Sequence, residues 1–364
     1  MRADEHTKGP RCRAVLVALG LGACGPYEPA GTGFQTPGTS SSAASSSSGS
    51  GTSGTSDTST STGDGSPSAA SGASAEPRRD LGATPDLQVV PPGCQGKIDF
   101  LFLVSRHGFM AGRQAQLIDA FPKFIDTITT KFEDFDYHIM VVDGDAGWGL
   151  SYCTEQCPNI GPPPCTELEY PCHLLDQVTS CDRTEGAGVL FNAGSLAYNA
   201  PCTIPEGRRY LQKGDPDLAE TFTCMAQGGA SGGDRLGDSL VAAMSPQVRE
   251  GCNAGFLRTD ALLMLILVTE ANDYDSEGTP EAWAQAVFDA KGKPDSIVTF
   301  GIVNQISQPW CDTYVDEWAP SRTCELIRRF PYHTSIDIDV PDYGPGFDAA
   351  TDLVAEACAA FLPG

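Results

Sequence analysis

Polar side chains that could hold a ligand follow two strongly apolar stretches of the sequence. The first stretch, residues 100–104, reads FLFLV and ends in SRHG; the second, residues 262–269, reads LLMLILVT and ends in EAND. Hydroxyl and carboxylate oxygens are ligands of hard divalent cations, and a serine paired with a histidine can serve as an activated nucleophile. The side chains concerned are Ser105, Arg106, His107, Glu270 and Asp273.

A buried parallel sheet is the element that would position these side chains. A short apolar run bounded by turn residues is typical of a strand buried on both faces. After Gly108 the apolar residues recur at spacings of three and four, as on one face of a helix. Strand, glycine turn and helix form the first unit of an open α/β sheet, and the turn lies where such sheets bind ligands.

The rest of the chain alternates between strands and helices. This order predicts an α/β fold with a doubly wound, mainly parallel sheet. The predicted strands after the first are residues 137–143, 262–269, 296–303 and, at the edge, 333–340. The predicted helices after the first are residues 217–225, 235–244, 280–291, 325–330 and 348–361.

Residues 97–128 resemble the opening of a von Willebrand factor A (vWA) domain, in the form carried by exported bacterial lipoproteins. Gly108, Met110 and the segment FPKFI at residues 121–125 match that family. The resemblance implies a Rossmann-like fold with a metal site at the carboxyl ends of the strands. In the family, one loop gives that site Asp-x-Ser-x-Ser, a second gives Thr and a third gives Asp.

The metal site implied by the resemblance is degenerate in this chain. Ser105 stands in place of the first Asp, His107 and Phe109 in place of the two Ser, Ser231 in the Thr position, and Glu270, with Asp273 nearby, in place of the last Asp. Phe109 has no ligand atom, and the imidazole nitrogen of His107 is disfavoured by Mg²⁺. We therefore expect no bound metal and no cofactor. The guanidinium of Arg106 is expected to take the place of the cation beside Glu270 and Asp273.

Three further motifs are weaker evidence of function than the resemblance to the vWA family. Residues 237–240 read GDSL, a lipase and esterase signature, but they lie in a predicted helix, and His333 lacks the preceding Asp of the family's Asp-x-x-His. We therefore expect no enzyme activity, with a secreted hydrolase as the alternative. Residues 272–278 resemble a fragment of a calcium loop without its twelve-residue spacing, which favours a solvated acidic loop. Asp143 and Asp145 are interpreted as turn formers.

The amino-terminal part has the pattern of an export signal and a tether. Residues 1–23 join basic residues to a short apolar run, and they end in LGAC, which resembles a lipobox with Cys24 as the lipidated residue. An ordinary signal peptide is the alternative. Residues 24–93 are rich in Ser, Gly and Thr, a composition that favours disorder. Residues 94–364 are expected to form the vWA-like domain. Because the lipobox-like sequence would place a lipid on Cys24, we expect a palmitate-type anchor in the cell envelope, with the protein facing the periplasm or the cell surface.

The cysteines predict a disulfide framework. Of fourteen cysteines, Cys12 belongs to the leader and Cys24 to the anchor, which leaves an even number, twelve, for six disulfides. Residues 144–214 form an insertion with six of them, whose connectivity stays open. Because the two ends of such a fold lie close together, Cys94 is expected to pair with Cys358. The other predicted pairs are Cys224 with Cys252 and Cys311 with Cys324.

The net charge of the chain limits the kinds of molecule that it can bind. The formal net charge of −24 disfavours nucleic acids and anionic lipid surfaces, because like charges repel. The function expected from the sequence is therefore the binding of another protein or an envelope component by a membrane-anchored lipoprotein. A passive structural lipoprotein is a further alternative.

Overall fold

Six strands form a single sheet. The computed structural model describes residues 96–145, 147–149, 151–157, 161, 165–230, 232–304 and 321–360. In this part of the chain the strands, in chain order, are β1 (Lys97–Val104), β2 (Asp136–Asp143), β3 (Leu211–Gln212), β4 (Leu262–Thr269), β5 (Ile297–Val303) and β6 (Tyr332–Asp337).

The sheet has the order β3-β2-β1-β4-β5-β6 and is parallel except at one edge. β1 pairs in parallel with β2 on one side and with β4 on the other, and β5 and β6 continue the parallel arrangement. The short strand β3 pairs antiparallel with β2, with Leu211 opposite Ile139. The predicted α/β class with a mainly parallel sheet is confirmed.

Helices cover both faces of the sheet. The apolar residues of β1 alternate between the two: Phe100 and Phe102 pack on one face, Leu101 and Leu103 on the other. This alternation explains the unbroken apolar run, since both faces of a central strand are buried. The α-helices are α1 (Ala111–Lys131), α2 (Ser151–Thr154), α3 (Leu218–Ala226), α4 (Leu236–Met244), α5 (Pro246–Glu250), α6 (Pro280–Lys291), α7 (Arg322–Ile327) and α8 (Gly344–Ala360).

Each face has its own aromatic centre. α1, α3 and α8 contribute to the first, where the rings of Phe121 and Phe222 stack with centroids 3.6 Å apart. α4, α6 and α7 contribute to the second, where Trp283 lies against Gly237 so closely that a Cβ there would come within 2.3 Å of the indole. None of the helices in the described ranges is long and apolar enough to cross a membrane.

The insertion between β2 and α3 has a small core of its own. Trp148, Tyr170 and Phe191 pack there with Cys153 and Cys165. It also supplies β3, an edge strand that the sequence pattern did not predict because two residues carry no periodicity. The insertion thus has its own core and also forms one edge of the sheet.

Four disulfides lie within the described residues, which confirms the disulfide-rich character of the chain. Two close the insertion on itself, and two tie it to the rest of the domain. The pairs are Cys153–Cys165, Cys157–Cys172, Cys181–Cys252 and Cys202–Cys224.

The predicted pair Cys224–Cys252 is wrong. Cys224 pairs with Cys202 and Cys252 with Cys181, because the insertion packs beside α3 and beside the turn after α5 and so brings its own cysteines to both. Cys324 and Cys358 are disulfide-bonded as well. Their predicted partners, Cys311 and Cys94, lie outside the described residues.

Candidate functional site

The carboxyl ends of β1 and β4 form the centre of the candidate site. These strands are neighbours, but the chain leaves β1 towards β2 on one side and leaves β4 towards β5 on the other. Open α/β sheets bind ligands at such a switch point, in the crevice outside the carboxyl ends of the strands. The loops that begin at Ser105 and Glu270 flank this crevice.

Ser105 is part of the backbone structure of the first loop. It is fully buried, and its backbone N–H donates to the Val268 carbonyl at 3.0 Å. Its hydroxyl accepts the backbone N–H of His107 at 3.1 Å, and its carbonyl accepts the side-chain amide of Gln114 at 2.9 Å. The loop is therefore held from β4 and from α1, which turns the next side chains in defined directions.

Arg106 fills the interior beside the crevice. Its side chain is completely buried, and it donates to the carbonyls of Gly228 at 3.0 Å, Gly147 at 3.2 Å and Ala193 at 3.0 Å. A Cβ at Gly232 would come within 2.7 Å of the Arg106 side chain, so the glycine is required for this close approach. Arg106 thus joins the first loop to the insertion and to the loop before α4.

The carboxylate partner of Arg106 is Asp143, at the end of β2. The guanidinium lies 3.4 Å from Asp143 and 4.0 Å from Asp145. The prediction that Arg106 neutralises Glu270 and Asp273 is wrong, because the insertion provides carbonyl acceptors on the β2 side instead. Burial raises the pKa of Asp143 to about 6, against the lowering effect of Arg106.

Asp143 and Asp145 also form the turn that the sequence predicted. Asp145 accepts the backbone N–H of Gly147 at 3.0 Å and that of Gly233 at 3.0 Å. Asp143 accepts the side-chain amide of Asn192 at 2.6 Å. These bonds connect β2, the insertion and the loop before α4.

Asp234 is the acidic residue of the crevice that sequence reasoning missed. It lies just before α4 and is 6 % exposed, and within the described part of the chain neither carboxylate oxygen has a hydrogen-bond partner of normal geometry. Burial raises its pKa to about 6, and the negative charges of Asp273 and Asp275 raise it further. The hydroxyl of Ser105 and the charge of His107 act in the opposite direction. The sequence feature that could have indicated it is an aspartate that follows two glycines and directly precedes the predicted helix at residues 235–244.

The third loop is tied to α4 through Asp273. This buried carboxylate accepts the backbone N–H of Gly237 at 2.7 Å, the backbone N–H of Ser276 at 2.9 Å and the hydroxyl of Ser276 at 2.7 Å. A carboxylate at the first turn of a helix is favourable because of the helix dipole. Asp273 therefore has a structural role.

Glu270 stands apart from this network. Its carboxylate lies 3.8 Å from the Nε of Arg113, which is also paired with Asp339. The structure brings Ser105, His107 and Asp273 into range of Asp234 and leaves Glu270 on the α1 side. Ser231 lies outside the described residues.

The donor set at the crevice offers little to a metal ion. Among the described residues, no group of three or more His, Cys, Asp or Glu side chains is placed to hold one. The imidazole Nδ1 of His107 is buried without a hydrogen-bond partner in the same part of the chain, and the ring lies 5.5 Å from that of Phe109. Phe109 points outward, with 72 % of its surface exposed.

The GDSL segment lies in α4, as the sequence predicted. Ser239 is fully buried, and its hydroxyl has no hydrogen-bond partner in the described ranges. His333 lies on β6, where its Nδ1 is 2.7 Å from the Phe330 carbonyl. A buried serine without a base cannot act as a nucleophile, so this segment is part of the core.

Exposed apolar side chains surround the crevice. They occur on the loop after β1, on the loop after β4 and on residues 194–199 of the insertion, which bond to the loop before α4. These side chains are Phe109, Leu196, Tyr198 and Tyr274. A pocket of about 270 Å³ opens at the ends of β4 and β5 beside Tyr274.

The comparisons with known proteins do not identify a family. No protein-family model matches the sequence, and no curated protein is similar to it. Among solved structures, proximal thread matrix protein 1 from the mussel byssus is similar at 12 % identity and a TM-score of 0.34, over 72 % of this chain and 48 % of that one. The pilus adhesin SpaC from Lactobacillus rhamnosus GG is similar at 10 % identity and a TM-score of 0.34, over 71 % of this chain and 30 % of that one. This chain therefore spans half or less of either protein, and neither likeness indicates a shared fold or function.

The predicted signal segment, Cys24 and the tether lie outside the described residues. Lipidation and envelope location therefore remain predictions.

Proposed function

We propose that this protein is an envelope lipoprotein whose vWA-like domain binds another protein or an envelope component at the carboxyl edge of its sheet, without a metal ion. The observation that carries the proposal is the exposed apolar surface around the crevice, which includes Phe109. An aromatic side chain that is 72 % exposed on an otherwise well-tied loop costs hydration free energy unless a partner covers it. Aromatic side chains are also enriched among the residues that dominate binding energy.

The rigidity of the loops supports the same function. The first loop is fixed by Arg106, which bonds to three carbonyls of other segments, and by Gln114, which bonds to two. The third loop is fixed by Asp273 and by Arg322, which donates to the carbonyls of Asp273, Ser276 and Gly278. Loops held in this way lose little conformational entropy when a partner binds.

The charge supports a partner that is neutral or basic. At −24 the chain repels anionic surfaces, so attachment to a membrane would depend on the lipid at Cys24 rather than on the domain. The tether of residues 24–93 would place the domain away from the lipid surface while keeping it in the envelope.

Site-specific photocrosslinking in the protein's own cells tests the proposal. A photoreactive phenylalanine analogue replaces Phe109 or Tyr274, and the matched control carries it at Thr130, an exposed position near the other end of α1. We expect a crosslinked protein or envelope component from Phe109 and Tyr274, none from Thr130, and no change in the presence of a chelator.

Three other results would count against this function. Adducts at all three positions would indicate non-specific contact, and none at any position would favour a passive structural lipoprotein. Ester hydrolysis that disappears in a Ser239→Ala variant would instead establish the hydrolase alternative.

A further inference from the structure

An apolar groove of about 450 Å³ runs between the start of α1 and residues 194–199 of the insertion. It extends along one flank of α1, from Ala111 to Asp119, and reaches the end of α3. The residues that line it are Ala111, Gly112, Ala115, Ile118, Asp119, Leu196, Thr223 and Gln227. Five of these eight are small or apolar, and the polar ones are Asp119 on α1 and Thr223 and Gln227 at the end of α3.

Leu196 is held in a costly conformation with its side chain in solvent. Its φ is +63°, a region that L-residues other than Asn, Asp and Gly seldom adopt, and 62 % of its surface is exposed. The surrounding bonds keep it there: its carbonyl accepts from Gln227 at 3.1 Å, and the next residue, Ala197, donates to Gly194 at 3.2 Å. The groove wall is therefore pre-formed.

The charges on α1 are divided between its two flanks. Arg113 pairs with Asp339 and Glu270, and Lys123 lies 3.5 Å from Asp342, so both cations face the side of β6 and α8. On the flank of α1 that faces the groove, the charged residue is Asp119, which is therefore the carboxylate that lines the groove.

We propose that this groove is the docking site of a partner segment that inserts an apolar side chain between α1 and Leu196 and places a lysine or arginine next to Asp119. The apolar walls favour a side chain such as Leu, Ile or Phe. The exposed carboxylate of Asp119, which forms no ion pair within the described residues, favours a neighbouring cation. This inference rests on the proposed function and specifies the chemistry of the partner.

Gly112 allows the groove to be filled without disturbing the fold. A Cβ built at this position meets no atom within 4 Å, so a tryptophan there would enter the groove rather than the core. The variant Gly112→Trp is compared with Thr130→Trp, an exposed position on the same helix, about 27 Å further along its axis. The charge is tested by Asp119→Lys against Asp126→Lys, which makes the same change at an exposed site two turns later.

The probe is a phage-displayed library of random dodecapeptides selected on the full-length protein, followed by synthetic copies of the enriched sequences. We expect the enriched peptides to share an apolar residue with Lys or Arg within a few positions. Their dissociation constants should rise at least tenfold in Gly112→Trp and several-fold in Asp119→Lys, the latter effect shrinking at high salt. Both controls should stay within about twofold of the wild type, and all variants should unfold at similar temperatures.

The inference is overturned if the enriched peptides bind Gly112→Trp as tightly as the wild type, or if they are acidic. Peptides whose affinity is unchanged by Gly112→Trp but lost in Phe109→Asp would bind elsewhere on the carboxyl edge of the sheet. The groove would then be excluded as the docking site, while the proposed function would still hold. Self-association that is seen by sedimentation and abolished by Gly112→Trp would make a second copy the occupant and would exclude the basic partner. Failure of the proposed function itself is read separately, from the absence of crosslinks at Phe109 and Tyr274.

Discussion

Replacement of Asp234 by asparagine is expected to stabilise the protein at neutral pH. The wild-type carboxylate is buried among the other acids of the crevice, and within the described residues it accepts no hydrogen bond of normal geometry. Removing one partner of a buried ion pair usually destabilises a protein, but Asp234 forms no salt bridge with any of the described residues. The substitution removes a buried charge and keeps the shape of the side chain.

The size of the expected gain in stability follows from the pKa of Asp234. Burial raises that pKa from 3.8 to about 6, and each pKa unit corresponds to about 1.4 kcal/mol. The ionised side chain therefore costs the folded state about 3 kcal/mol above pH 7. The amide of asparagine is buried as well and recovers only part of this, so we expect a gain of about 2 kcal/mol, or about 4–8 °C in unfolding temperature.

The pH dependence of the gain has a defined sign. Below pH 3.8, Asp234 is protonated in the folded and the unfolded protein, so the charge penalty is absent and Asp234→Asn should be about 1 kcal/mol less stable than the wild type. As the pH rises, the unfolded wild type loses its proton first, so the wild-type penalty grows between pH 4 and 6 and is complete above the folded pKa. Urea unfolding of both proteins at pH 4 and pH 8 measures this difference.

Asp273→Asn is the matched control. Asp273 is equally buried, but its carboxylate accepts three hydrogen bonds, from Gly237 and Ser276. One of its oxygens accepts two of them, so an amide nitrogen placed on either side loses acceptors, and we expect destabilisation by about 1–3 kcal/mol at pH 8. Two results would contradict this prediction: an Asp234→Asn variant that is less stable than the wild type at pH 8, or an effect of the substitution that is the same at pH 4 and pH 8.

Four other outcomes are expected. Arg106→Met should lower the free energy of unfolding by about 3–5 kcal/mol at pH 8, because it leaves Asp143 charged, buried and unpaired; urea titration should show a smaller loss below pH 6, where Asp143 is protonated. Cys24→Ala should leave an unlipidated precursor outside the membrane fraction, measured by intact mass and fractionation. Mass spectrometry of the unreduced protein should recover all four described disulfides with no alkylated cysteine among them. Millimolar Mg²⁺ or Mn²⁺ should not raise the unfolding temperature, and a rise that Asp234→Asn abolishes would instead place a cation at Asp234.

The sheet could be predicted because its strands are buried on both faces. The predicted strand at residues 262–269 coincides with β4, and those at 137–143 and 296–303 differ from β2 and β5 by one residue each. The helix at residues 280–291 is also bounded as predicted, since Thr279 caps its first turn and Gly292 ends it at positive φ. β3 and α5 were missed because elements of two and five residues carry no periodic signal.

The order of the strands brings two of the predicted loops together, but the contacts within them could not be predicted. The sheet order explains why the loops at Ser105 and Asp273 meet, since β1 and β4 are neighbours. The partner of Arg106 could not be read from the sequence, because the carbonyl acceptors at Gly147 and Ala193 belong to an insertion with no repeat or motif. Disulfide pairing failed for the same reason: it depends on where the insertion packs.

The burial of Arg106 has a consequence for how the edge of the sheet can bind. A fully buried guanidinium with one carboxylate and three carbonyls is held too firmly to reach an incoming ligand. Asp273 is equally committed to α4, and Asp234 is buried beneath the loops. The polar groups of the crevice thus stabilise the loops. The exposed apolar side chains that the loops and the insertion offer to a partner are Phe109, Leu196, Tyr198 and Tyr274. Recognition at this edge should therefore depend on apolar area and on the acids at its rim, and should weaken more on Phe109→Asp than on any change to the buried carboxylates that leaves the fold intact.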